Sequence, residues 1–121
     1  MKKPISPKTH GMLDYSTVLA TAAAPRALNF PPAARRACDA LASGYLGLSM
    51  LTDYPLGAKR KVPFKGHGAA EAVLGLALPA LPWALGFTRH KAARNFFYAL
   101  TGITFVVAAL TDWDNARAHA S

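Results

Sequence analysis

"KTHGMLDY" occupies Lys8–Tyr15 and "KGHGAAEA" occupies Lys65–Ala72. Each carries a lysine, a histidine two residues on, then a glycine, and a carboxylate four residues after the histidine. Each also opens an apolar segment. At an offset of 57, Lys8 meets Lys65, His10 meets His67, Gly11 meets Gly68, Asp14 meets Glu71, Pro25 meets Pro82 and Phe30 meets Phe87. Farther on the offset widens to 58 and then 59, so that Arg36 meets Arg94, Gly44 meets Gly102, and "LTDY" at Leu51–Tyr54 meets "LTDW" at Leu110–Trp113. An ordered series of this kind reads as a tandem duplication. Residues 1–58 are the first repeat and 59–121 the second, within one compact domain.

Each repeat reads as a helix hairpin. The expected helices are His10–Leu28 and Ala33–Tyr54, then His67–Gly86 and Lys91–Trp113. "NFPPAA" at Asn29–Ala34 is a loop whose second proline suits the first helical turn, where no N–H is required. Gly86 is positioned to cap the third helix. Pro79 and Pro82 should kink that helix. Tyr54–Phe64 is basic, bracketed by prolines, and joins the repeats. Ser43 with Gly47, Gly68 with Ala72, and Gly75 and Gly102 are small residues suited to close helix contact.

Charge placement decides the environment. Of 121 residues, 52% are apolar and 17% charged, and the net charge is +8. The charge-free runs are Tyr15–Pro25, Ala40–Thr52, Ala72–Thr88 and Asn95–Thr111, the last two 17 residues long. That length is at the lower limit for crossing the hydrocarbon core, and snorkelling flanks extend it. Basic residues flank every run, which suits anionic lipid headgroups. Nucleic acid is not the expected partner, since the sequence has no RNP-type motif and no basic helix interleaved with aromatics. The single cysteine, Cys38, excludes an internal disulfide and any zinc-type spacing. The N-terminal apolar run resembles a signal peptide, but Asp14 interrupts it and it has a mid-chain counterpart, so it is assigned to the mature fold.

The expected fold is therefore all-α: a four-helix transmembrane bundle of two tandem hairpins. Two helices per repeat make the repeats parallel, with both termini and the linker on one face. That face carries eight Lys and Arg against six on the other, which leans toward cytoplasmic termini. Trp83, Trp113, Tyr54 and Phe87 fall near expected helix ends, as interfacial anchors do. A soluble four-helix bundle is the rival fold and would purify without detergent.

"HGMLDY", "LTDYPLG" and "HGAAEAVLGLALPALPWALGF" together resemble the SPW-repeat family of small bacterial integral membrane proteins. The second repeat keeps Pro82, Trp83, Gly86 and Phe87, with Leu81 in place of the serine. The first departs further, with Ala24, Pro25 and Arg26 at the motif. The resemblance covers nearly the whole chain. It implies a multi-pass protein of the bacterial inner membrane and implies no reaction.

Hairpin geometry should bring His10, Asp14 and Asp53 to one membrane face, and His67, Glu71 and Asp112 to the same face. A histidine and a carboxylate four apart share one side of a helix. Two imidazoles and two carboxylates suit Zn, Fe or Mn, and the two histidines could instead ligate a haem iron axially. Gly11 and Gly68 would then admit a planar ligand. The plainer reading pairs Asp14 and Glu71 with Lys8, Lys65 or linker lysines, with Asp53 and Asp112 taking cationic or hydroxyl partners. Gly-rich phosphate loops, nucleophile elbows, HExxH and CxxC are all absent, so no enzyme is expected. Three functions stay open: a structural or partner-binding membrane module that could form a homo-oligomer, a haem or metal binder using His10, Asp14, His67 and Glu71, and an oligomeric ion or proton transporter.

Overall fold

The computed structural model describes residues 3–114 and is all-α apart from two short strand pairings. Helices α1 (Pro7–Ala27) and α2 (Pro32–Leu51) form the first hairpin. Helix α3 (Phe64–Ala77), a 3-10 turn at Leu78–Ala80 and the short α4 (Leu81–Ala84) make one broken rod, which packs on α5 (Lys91–Leu110). The break falls where expected. Pro79 has no N–H to donate, so the ladder tightens to a 3-10 turn before Pro82 restarts the helix. His119 and Arg117 of the sequence lie outside the described residues.

The helix boundaries follow from local chemistry. Ser6 caps α1 by accepting from the Thr9 N–H at 3.2 Å, and Pro7 takes the first turn. His90 caps α5 in the same way, its Nδ1 accepting from the Ala93 N–H at 3.2 Å. The two repeats leave their first rods identically. Asn29 has φ +53° and Gly86 φ +77°. Just beyond them, Phe30 donates to the Pro25 carbonyl and Phe87 to the Pro82 carbonyl, both at 2.9 Å. This is the six-to-one bond of a Schellman turn, which requires the left-handed residue before it.

The second and fourth helices end earlier than expected, at Leu51 and Leu110, because the following residues turn extended and pair. Strand β1 (Thr52–Asp53) runs parallel to β2 (Val62–Pro63), and Ile5 makes an equivalent parallel bridge with Thr111. Ile5 and Val62 are 57 apart, and Thr52 and Thr111 are 59 apart. The segment leading into each repeat thus pairs with the segment leaving the other. The loop closing the β1–β2 pair needs Gly57, because a Cβ there would stand 1.9 Å from the Thr52 carbonyl oxygen.

At the opposite end of the bundle, Phe30, Ala34, Cys38, Leu78, Phe87, Ala93, Phe97 and Leu100 form an apolar cluster. Phe87 and Phe97 meet there with ring centroids 5.1 Å apart. Elsewhere the usual distribution is reversed. Ser49, Thr52, Thr111, His10, His67, Asp14 and Glu71 are buried, while Leu19 and Leu76 are 72% and 73% exposed. Of the expected interfacial anchors, Trp83 is exposed, but Tyr54 and Phe87 are buried in the interior. Of the small residues expected at close contacts, Gly75 and Gly68 abut aromatic rings, whereas Gly47 and Gly102 face open space. Among the described residues one helix, Lys91–Leu110, is long and apolar enough to cross a membrane, and only 17% of its most apolar window is buried.

Candidate metal centre

Both histidines sit one turn into the first helix of their repeat, and both carboxylates follow one turn later. The spacing of four puts each pair on one helical face, and both faces turn inward. The four side chains meet: one donor atom from each of His10, Asp14, His67 and Glu71 lies within 4.8 Å of all the others. His10 and His67 are fully buried, Asp14 and Glu71 nearly so.

The ring orientations are fixed from the outside. His10 Nδ1 lies 2.9 Å from Thr111 Oγ1, and His67 Nδ1 lies 2.7 Å from Thr52 Oγ1. Each threonine hydroxyl already donates its proton to a carbonyl one turn back, Thr111 to Val107 and Thr52 to Leu48, both at 2.6 Å. A hydroxyl has one proton, so toward the histidine it must accept. Both Nδ1 atoms therefore carry hydrogen, and both Nε2 atoms turn to the centre. Each histidine is held by the threonine of the other repeat. Aromatic rings complete the wall: Trp113 packs on His10 at 4.9 Å and Tyr54 on His67 at 5.5 Å between centroids.

At the centre, His10 Nε2 is 3.0 Å from Glu71 Oε1 and 3.3 Å from Asp14 Oδ1. His67 Nε2 is 3.2 Å from Asp14 Oδ2 and in close contact with Glu71 Oε1. Tyr45 reaches Glu71 Oε1 at 2.6 Å and Asp14 Oδ1 at 2.9 Å, and Tyr54 donates to Asp14 Oδ2 at 2.9 Å. Burial, and then the Asp14 carboxylate, push the Tyr54 phenol well above its ordinary range, which keeps it a donor. With Nδ1 already a donor, an Nε2 facing a carboxylate needs either a proton or a cation between them.

The sequence-derived set is divided by the structure. His10, Asp14, His67 and Glu71 come together. Lys8 and Lys65 do not join them: both are exposed, and Lys65 pairs with Asp114 at 3.2 Å. The partners of Asp14 and Glu71 are imidazoles and phenols rather than lysines. Asp53 and Asp112 lie beside the parallel pairings, one half-buried and one buried. Gly11 and Gly68 admit protein rather than a ligand. A Cβ on Gly68 would meet the Trp113 ring at 2.8 Å, and one on Gly11 would meet Leu56 at 3.0 Å. No slot for a porphyrin lies between the imidazoles, since both Nε2 atoms close on a single Glu71 oxygen.

Four residues of the centre escaped the sequence reading: Thr52, Thr111, Tyr45 and Tyr54. The threonines carried a signal, since they occupy the same place in "LTDY" and "LTDW". Tyr45 carried none, because its counterpart at an offset of 58 is Ile103. Comparison with protein-family models, with curated proteins and with solved structures returned no match for this chain.

Proposed function

We propose that the chain is a small multi-pass membrane protein that holds one first-row transition metal ion between its two repeats. The observation that carries the metal assignment is the convergence of His10, Asp14, His67 and Glu71 with both Nε2 lone pairs directed inward by threonine. Two imidazoles with two carboxylates form a mixed nitrogen and oxygen set suited to Zn, Fe or Mn. The threonines are the outer-shell acceptors that metal-bound histidines use to fix their tautomer. The apolar cluster at the far end closes the bundle, which favours a holding site over a through-path.

The reversed distribution of polarity supports the membrane assignment. Helices α1, α2 and α5 have 21, 20 and 20 residues, about 30 Å at 1.5 Å per residue, which matches the hydrocarbon core. Their outward faces carry leucine, valine, isoleucine and phenylalanine, while α1 and α2 turn small and polar residues inward. The resemblance to the SPW-repeat family points the same way, to the bacterial inner membrane, with Lys59, Arg60 and Lys61 placed for anionic headgroups.

The second reading is a structural module. The same centre ties the hairpins together without a metal if protons occupy the Nε2 positions. Elemental analysis of detergent-purified protein separates the two. A metal ion near one per chain, lost in both His10→Ala and His67→Ala, is the expected result. Protein that stays metal-free after incubation with Zn, Fe and Mn salts overturns the metal assignment. Monodisperse purification without detergent overturns the membrane assignment.

A further inference from the structure

We infer that Tyr45 is a fifth ligand of the centre, donating its phenolate to a trivalent ion, and that a neighbouring cavity leaves one position for a small exogenous ligand. The inference rests on the metal reading above and names the ion that the site prefers.

The phenol oxygen stands 2.6 Å from Glu71 Oε1 and 2.9 Å from Asp14 Oδ1. Those are the two carboxylate oxygens nearest His10 Nε2. One hydroxyl proton serves one acceptor, yet three oxygens and two inward-facing nitrogens crowd the same volume. A cation at their centre satisfies all of them. Without an ion, Tyr45 is a hydrogen-bond donor toward both carboxylates. With an ion in place of that proton, Asp14, Glu71 and the phenolate would supply three negative charges and the two Nδ1-protonated imidazoles none. A trivalent ion cancels that charge, which matters where no water screens it. Three hard oxygen donors with two imidazoles suit ferric iron. On binding, the ion replaces the phenol proton and any proton on Nε2, and these leave to solvent. No electron is transferred when the ion is supplied as Fe(III).

The duplication makes the phenol one-sided. The seam between α2 and α3 contains Gly44, Tyr45 and Glu71. The corresponding seam between α1 and α5 contains Ile103 and Asp14; both seams hold cavities, about 210 Å³ in the first and about 40 Å³ in the second. That cavity also borders Tyr45 and Glu71 and is lined otherwise by apolar and threonine side chains. A site of this size admits a water-sized ligand. Tyr45 borders both spaces, and isoleucine in place of a second phenol leaves the α1–α5 space free for a small anion at the ion.

The test uses the full chain in detergent, titrated with ferric citrate and, separately, with zinc. A visible phenolate-to-iron charge-transfer band that saturates near one iron per chain is expected. Tyr45→Phe should abolish the band while keeping the iron, and azide should shift the wild-type band. Ile103→Phe, which adds bulk at the cavity wall, should retain the band and lose at least tenfold in azide affinity. Iron bound with the same spectrum in wild type and Tyr45→Phe overturns the phenolate ligand. Unchanged azide affinity in Ile103→Phe overturns the open position. Failure to bind either iron or zinc overturns the metal reading itself and this inference with it, whereas zinc binding without ferric binding overturns this inference alone.

Discussion

Thr111→Val removes one oxygen and almost no volume from a fully buried residue, so it isolates the role of that hydroxyl. In the wild type, Thr111 Oγ1 accepts from His10 Nδ1 at 2.9 Å and donates to the Val107 carbonyl at 2.6 Å. Valine leaves the Nδ1–H buried without an acceptor, which costs about 1–3 kcal/mol. In binding, an outer-shell partner of a metal-bound histidine is worth about 10–100-fold in affinity, or about 1.4–2.8 kcal/mol. The two estimates agree, so Thr111→Val should weaken metal binding by one to two decades in a chelator competition. Thr52→Val should match it, because Thr52 holds His67 in the same way. Thr101 is the control: its hydroxyl also donates to a carbonyl one turn back, at 2.9 Å to Phe97. Thr101→Val should change affinity by less than about 0.5 kcal/mol, since any general effect of the back-bond on the helix is small. Wild-type affinity in Thr111→Val, or equal losses in Thr111→Val and Thr101→Val, would refute the tautomer argument.

Other consequences are simpler to measure. Tyr54→Phe deletes the buried donor to Asp14 and should lower unfolding stability by about 1.5–3 kcal/mol, because that bond is to a charged group; a denaturant midpoint equal to wild type would count against it. Gly86→Ala should destabilise by about 1–2 kcal/mol at φ +77°. Gly44→Ala, inside α2 with open space around it, should stabilise by about 0.5–1 kcal/mol; the opposite signs in one thermal assay check both. Metal removal by a chelator should lower the melting temperature by about 10 °C relative to protein held at metal a hundredfold above its dissociation constant. His67→Ala should show no such shift.

The sequence carried the architecture through its repetition. The helix starts were legible to within a turn: the proline pair in "NFPPAA" marked α2 at Pro32, while α1 and α3 begin three residues before the expected His10 and His67, at Pro7 and Phe64. The broken third rod was legible from Pro79 and Pro82. The ends of α2 and α5 were not, since neither Leu51–Tyr54 nor Leu110–Trp113 contains a glycine or proline to break the helix. What stops those helices is a parallel bridge, Thr52 to Val62 ten residues on and Thr111 to Ile5 at the opposite end of the described chain. The centre divides in the same way. Helical spacing put each histidine beside its own carboxylate, but the assignment of lysine partners failed. Lys8 and Lys65 lie on the outward face of the same turns that carry His10 and His67 inward. Tyr54 was misread because an aromatic at a helix end looks like an interfacial anchor until the chain folds back across it.

Among the described residues the two similar halves meet at one cluster rather than two, and the geometry explains why. Each repeat brings a histidine and a carboxylate, but the acceptor for each histidine belongs to the other repeat. The bridge that positions each threonine likewise requires the leading segment of the other repeat. A lone hairpin would hold a His–carboxylate pair with no fixed tautomer and half the donors. The polar residues are therefore stabilised only where the two halves meet, on the axis between them. That shared position also frees the repeats to diverge around it. Tyr45 and Ile103 occupy corresponding places beside one centre, so one substitution gives that centre two unlike sides without disturbing the four residues that both repeats maintain.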